Sequence, residues 1–314
     1  MSSQLRIVFM GTPDFATQSL KQLVDNDYKV VGVVTAPDRP AGRGQKIQYS
    51  SVKKYALEKN LKLLQPEKLK EPHFTEDLKN LKADVFVVVA FRMLPEIVWS
   101  IPTKGTFNLH ASLLPNYRGA APINWAVING DSESGVTTFF IEKDIDTGNI
   151  IFQEKINISE NDSAGDLHDK LMALGSQLVS KTIDAIENGM APNQPQSDSK
   201  ATHAPKIFKT DCKIDWKNKV TNIHNKIRGL SPYPTAWTSI DGSKNQSIKL
   251  FKSSVEKIKH NESPGTVFSD NSSLKIAAMD GFIHIQELQL SGKKRMKTED
   301  FLRGYAFPKD TILY

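Results

Sequence analysis

The chain of 314 residues is long enough for two cores, and it holds no run near the ~20 consecutive apolar residues a bilayer span needs, so a soluble globular protein is expected. A single cysteine, Cys212, excludes an intrachain disulfide and any multi-cysteine metal cluster, and it fits a reducing, cytoplasmic compartment. The net charge of +6 is uneven: from Ile207 onward there are 18 Lys/Arg against 11 Asp/Glu, leaving residues 1–206 at −1, a near-neutral body with a basic tail suited to a polyanionic partner.

The start, MSSQLRIVFMGTP, leads almost at once into an apolar run at residues 5–10, so no signal or transit peptide is expected. Gly11-Thr12-Pro13 follows, and Pro13 suits the first turn of a helix with Thr12 as its cap. Strand signals recur at Val30–Val34, more weakly at 62–65, and at 84–90 (DVFVVVA), spaced by segments long enough for helices. This pattern predicts an α/β, Rossmann-like, doubly wound N-terminal domain whose ligands sit beyond the carboxyl ends of its strands. The turn at Gly11 lacks the G-x-G-x-x-G spacing, so a dinucleotide is not expected. Residues 35–51 (TAPDRPAGRGQKIQYSS) hold two prolines, two glycines and three cations without an apolar period, which reads as an exposed basic finger loop.

The central stretch, from Phe107 through the D-I-D-T-G turn, carries the chemistry. Alternation puts Asn108 and His110 on the same side of a strand end. An amide there can donate to a developing oxyanion, and an imidazole can move a proton or hold charge. The small, proline-rich residues of SLLPNYRGAAPI let a planar ligand approach the backbone. Asp144 and Asp146 are competing carboxylates, and one of them near His110 would favour the imidazolium and orient the ring. Composition does not separate the two. Residues 149–158 read as an alternating strand. Ser163 and Asp166 then form a capping box that opens a helix, with Leu167, Leu171, Leu174, Leu178 and Ile186 on one stripe and Gly189 as its stop. Residues 190–206 have a linker composition, which gives domains at 1–189 and 207–314. Five short strand candidates, at 236–240, 247–251, 265–268, 274–277 and 282–290, predict a smaller C-terminal β-barrel of oligonucleotide-binding (OB-like) type.

With FMGTPDFA at the start, APDRPAGRGQK in the loop, and NLHASLLP, RGAAPI, GVT and DTG in the centre, essentially the whole chain resembles the formyltransferases that use 10-formyltetrahydrofolate. The finger and the basic tail are similar to those of members acting on methionyl-tRNA. The resemblance implies a catalytic trio of Asn108, His110 and Asp146. It implies folate contacts at Ser112, Leu113, Leu114 and Pro115, and at Phe91, Arg92 and Leu94, where many members have Tyr-Gly in place of Phe91-Arg92. It implies tRNA contacts at Arg43 on the finger and at Lys206 and Lys209. The implied activity moves a formyl group from 10-formyltetrahydrofolate, as co-substrate, to the α-amine of initiator methionyl-tRNA in translation initiation. The expected enzyme is a cytoplasmic monomer with no metal and no membrane partner. A sugar-nucleotide formyltransferase would share the core motif but needs neither finger nor basic tail. A non-catalytic RNA-binding protein predicts loss of the amide, imidazole or carboxylate, and all three are present.

Overall fold

The apolar run at the start becomes the central strand of a sheet. The computed structural model describes residues 5–41, 46–240 and 246–314. In chain order the first elements are β1 (Ile7–Gly11), α1 (Asp14–Asp25), β2 (Val30–Val34), β3 (Arg39–Ala41), β4 (Lys46–Gln48), α2 (Ser51–Glu58), β5 (Leu63–Leu64), α3 (Pro72–Asn80), β6 (Val85–Val89) and α4 (Glu96–Trp99). They are followed by β7 (Thr106–His110), β8 (Arg118–Gly119), α5 (Pro122–Asn129), β9 (Glu133–Phe140), β10 (Ile150–Asn157) and α6 (Ala164–Glu187). A seven-stranded sheet has the order β10-β9-β7-β6-β1-β2-β5, parallel from β7 to β5, with β9 antiparallel to β7. All five residues of β1 and all five of β6 are buried, as expected of apolar strands covered on both faces. The strand order reverses between β1 and β6, so the carboxyl ends of β1, β6 and β7 frame the crevice where such sheets bind ligands. Gly11 closes β1 because a Cβ there would lie 2.5 Å from the Ala16 Cβ and 3.0 Å from the Val89 carbonyl oxygen.

Two local expectations change. Thr12 does not cap α1: Pro13 occupies the N-cap without a side-chain bond, and its carbonyl accepts the Ala16 and Thr17 N–H groups at 3.0 and 3.1 Å. The finger is not structureless, because Arg39 pairs with Gln48, Pro40 with Ile47 and Ala41 with Lys46 in an antiparallel hairpin. The tip, with Arg43, lies outside the described residues. Contacts at its base explain the pairing. The Thr35 and Ser50 hydroxyls meet at 2.9 Å, Lys53 Nζ donates to Asp38 Oδ2 at 2.5 Å, and Gln65 Nε2 donates to Asp38 Oδ1 at 3.0 Å. The Lys53 and then the Gln65 hydrogen bond hold the Asp38 carboxyl below its usual range.

Chain contacts divide the molecule into two units. The first is Met1–Gly119, Ser134–Ile156 and His168–His203; the second is Ala120–Glu133, Asn157–Leu167 and Ala204–Tyr314. The capping box is present in the second: Asp166 Oδ2 accepts the Ser163 N–H at 2.9 Å, and Ser163 Oγ accepts the Asp166 N–H at 3.2 Å. After β11 (His203–Ala204), its later elements are α7 (Val220–Gly229), β12 (Ala236–Ser239), β13 (Ser247–Lys257), β14 (Val267–Ser269), β15 (Leu274–Ala278), β16 (Gly281–Leu290), β17 (Met296–Lys297) and α8 (Thr298–Leu302). The sheet runs β12-β13-β16-β15-β14, with β17 paired to β16. Ile248 and Leu250 of β13 face a core with Ile223, Ile227, Ile276 and Ile283, while Lys249 and Lys252 point outward. Residues 311–314 touch both sheet edges. The Leu313 N–H donates to Gly265 O at 2.9 Å, and Ser239 and Tyr314 exchange N–H···O bonds of 2.9 Å each. Gly265 sits at φ +94, and a Cβ there would lie 2.4 Å from Leu313 O. Among the described residues no helix is long and apolar enough to cross a membrane.

Candidate active site

β7 brings the first two predicted groups to the crevice. Its sequence, TFNLH, buries Phe107 and Leu109 and leaves Asn108 half-buried, two residues before His110, which is 7% exposed. His110 Nε2 lies 2.9 Å from the Tyr117 carbonyl oxygen, and Nδ1 lies 3.7 Å from Asp146 Oδ2, an ion-pair distance. The ring is thus held between the Tyr117 carbonyl and the Asp146 carboxylate. Asp146 Oδ2 also accepts the Gly119 N–H at 2.9 Å. Asp144 is exposed, so Asp146 is the carboxylate that faces the ring. Asp146 and Tyr117 adopt φ +55 and +60, a left-handed conformation that side chains rarely take. Among the described residues, no hydrogen bond uses the Asn108 carboxamide or Asp146 Oδ1.

The SLLP turn is locked from within. Ser112 Oγ donates to Asn116 O at 2.6 Å, Thr137 Oγ1 donates to Ser112 O at 2.6 Å, and the Leu114 N–H donates to Thr137 Oγ1 at 3.1 Å. The Ser112 hydroxyl and the Leu114 side chain are therefore committed inside the protein, with Leu114 against Phe139 and Ile150. Leu113 and Pro115 remain half-buried. Further along the crevice, Leu94 is buried with Val88 and Val98, and Phe91 is partly buried against them. Arg92 donates from Nη1 to Glu67 O at 2.9 Å and from Nη2 to Pro66 O at 2.8 Å. Burial, with Arg39 nearby, pushes the Arg92 guanidinium below its usual range. Arg92 and Leu94 line an open cleft of about 510 Å³ with Leu69, Met93 and Trp99, and with the cations Lys70 and Lys143. In the second unit Lys206 and Lys209 are both exposed. Their Nζ atoms lie 5.5 Å from the Phe208 ring centre and 6.0 Å from that of Trp237.

Sequence reasoning missed four residues that hold this site: Thr137, Arg118, Gly119 and Gln196. Arg118 and Gly119 stand in the RGAAPI motif, where an arginine beside small residues signals a fixed backbone. Gln196 carries no local signal.

A family model described as formyl transferase matches residues 5–183, and one described as formyl transferase, C-terminal domain, matches residues 206–306. The chain belongs to the formyl transferase family. It has the two-domain fold of that family, a Rossmann-like α/β sheet followed by a C-terminal β-sheet domain. It is 54% identical over 308 residues to a methionyl-tRNA formyltransferase of Bacteroides thetaiotaomicron, covering 96% of each chain. It is 51% identical over 313 residues to one of Flavobacterium johnsoniae, covering 99% of each. Among solved structures it is similar to the sugar 3N-formyltransferase WlaRD, crystallised in the presence of dTDP and 5-N-formyl-THF, at 25% identity and TM-score 0.67, covering 92% of this chain and 99% of that one.

Proposed function

We propose that the chain transfers the formyl group of 10-formyltetrahydrofolate to the α-amine of initiator methionyl-tRNA, giving N-formylmethionyl-tRNA for translation initiation. The observation that carries the reading is the approach of Asp146 to His110 beside an unpartnered Asn108, at the carboxyl end of β7. The relatives over the full chain, named for the same activity, support the acceptor.

The residues divide the work by their hydrogen bonds. The Asn108 carboxamide is free to donate to the formyl oxygen as negative charge builds there. His110 is engaged at Nε2 by the Tyr117 carbonyl and faces Asp146 with Nδ1, so the ring is fixed beside Asn108 rather than swinging freely in the site. Asp146 Oδ2 holds the ring and the Gly119 N–H, which leaves Oδ1 to receive a proton from the attacking amine, directly or through water. An α-amine with a pKa near ~8 is neutral in appreciable part at neutral pH, so no strong base is required.

The cleft beside Arg92 fits the donor: Trp99, Met93 and Leu69 offer flat and apolar surface, and Lys70, Arg92 and Lys143 offer charge to an anionic tail. Leu113 and Pro115 would meet it from the SLLP turn, where the backbone matters more than the Ser112 and Leu114 side chains. Residues 207–314 are read as a tRNA-binding domain of OB-like barrel type, joined by the 190–206 linker to a catalytic domain at 1–189. The edge contacts of residues 311–314 support barrel closure, and the exposed Lys206 and Lys209 support an RNA surface. Arg43 would reach the acceptor end of the tRNA. The enzyme is read as a cytoplasmic monomer needing no metal.

The test is an acceptor assay with 10-formyltetrahydrofolate and either charged initiator tRNA or an amino-sugar nucleotide. Formyl-methionyl-tRNA is the expected product, and formylation of the sugar alone would overturn the reading.

A further inference from the structure

Gln196 lies in the segment whose composition reads as a connector, yet every hydrogen-bonding position of its carboxamide is used. Nε2 donates to the Asp146 carbonyl at 2.9 Å and to the Gly148 carbonyl at 2.7 Å. Oε1 accepts from Arg118 Nε at 3.2 Å and from Nη2 at 2.9 Å. One side chain thus spans the gap between the backbone that carries Asp146 and a buried guanidinium. Arg118 is fixed in turn: its Nη1 donates to Asp198 at 2.8 Å and its N–H donates to Thr202 O at 2.9 Å. Its two neighbours hold the site directly, because the Tyr117 carbonyl meets His110 Nε2 and the Gly119 N–H donates to Asp146 Oδ2.

The loop needs this support. Asp146 sits at φ +55, and Gly148 passes so close to β9 that a Cβ there would lie 1.7 Å from Phe140 O. The conformation on which the direction of the Asp146 carboxylate depends is imposed from outside, and Gln196 contacts the loop on both sides of Thr147. The residue type follows from the geometry. Two N–H donors and an acceptor must sit on one planar group at this reach. Glutamate has the reach and the acceptor but no N–H, lysine has no acceptor, and asparagine is one methylene short.

We propose that Gln196, braced by Arg118, is a positioning residue that sets the Asp146 carboxylate against His110 and acts on formyl transfer only through Asp146. The proposal rests on the reading of Asp146 given above. A shift of order ~1 Å at a reacting group can cost ~100-fold in rate, so an amide that fixes the Asp146 and Gly148 carbonyls has leverage on kcat without touching substrate.

The experiment combines steady-state kinetics with hydrogen exchange on Gln196→Ala, Gln196→Glu, Asp146→Ala and the Gln196→Ala/Asp146→Ala pair. Gln196→Ala should lower kcat by roughly 10- to 100-fold, while KM for the folate donor and for methionyl-tRNA stays within about twofold. Gln196→Glu keeps the Arg118 contact and loses both donors, so it should fall as far; it carries the measurement if the alanine variant does not fold. The paired variant should be no slower than Asp146→Ala alone, because the two residues act as one unit. Amides at 144–148 should exchange faster in both Gln196 variants, with those of β7 unchanged. Multiplying losses in the paired variant would show that Gln196 serves something other than Asp146 and would overturn the proposal. Unchanged exchange at 144–148 would overturn it at any turnover. Faster exchange with full activity in Asp146→Ala would instead locate the failure in the reading of Asp146, and the catalytic half of the proposal would fall with it.

Discussion

The two units use their sheets in opposite ways. In the first, β1 and β6 are buried throughout, so their side chains carry no chemistry, and polar groups appear where the strands stop: Asn108 and His110 at the end of β7, and Asp146 on a loop beyond β9. In the second, Ile248 and Leu250 of β13 face inward and Lys249 outward, and past an irregularity at Phe251 Lys252 is exposed again, so charge is spread along a surface. A site at strand ends depends on a few groups whose geometry is fixed; a charged face depends on many that contribute a little each. Substitutions in the first unit should act steeply, and those in the second should act gently.

Asn108→Ala should show the steepest response. Removing one oxyanion donor costs about 3 to 4 kcal/mol of transition-state stabilisation, so turnover should fall by roughly 10²- to 10³-fold with folate binding retained. Single-turnover transfer with donor affinity measured separately checks this, and a loss under tenfold would break the contrast between the units. Gly148→Ala comes next. Its Cβ would meet Phe140 O at 1.7 Å, backbone against backbone, so the loop must move at a cost of about 1–3 kcal/mol or more, visible in urea unfolding and in exchange at 144–148.

Lys206→Gln and Lys209→Gln belong to the gentle regime. Each should weaken tRNA binding modestly and reduce the slope of log affinity against log salt by about one unit or less, with kcat at saturating tRNA unchanged. A steep loss of kcat in either would place that lysine at the chemistry instead.

The smallest effect concerns His224, whose Nδ1 lies 3.0 Å from Ser253 Oγ. Burial pushes its pKa below the ordinary value, Arg228 pushes the same way, and Glu160 opposes them. The unfolded ring therefore binds a proton that the folded ring resists. Its neutral form is compatible with the fold above the ordinary value of ~6.5, and stability falls as pH drops through that value. His224→Gln should flatten this dependence, measured as the difference in urea midpoint between about pH 7.5 and about pH 5.

How much of this could be read beforehand follows the same division. Continuous apolar runs such as VFVVV and alternating ones such as SIKLF announce their strands, because burial on one or both faces leaves its period in the sequence. The Ser163 and Asp166 box is equally local, and it is found as expected. Asn108 and His110 were placed together by a two-residue spacing. Chemistry alone does not separate Asp146 from Asp144, since both occupy one turn; the family resemblance singles out Asp146, and the fold brings it to the ring. Gln196 was invisible because its partners are 50 and 78 residues away and its neighbours have the composition of a connector. The hairpin in the finger was missed because its pairing is held by Asp38, Lys53 and Gln65 at the base rather than by any strand-like run.

The contact of residues 311–314 with both margins of the second sheet bears on how the protein is made. β12 and β14 precede that segment in the chain, so their outer backbone groups find these partners only once residues 311–314 are in place. Displacing that strip would leave both edges of the sheet with unpaired backbone groups, open to pairing with another chain.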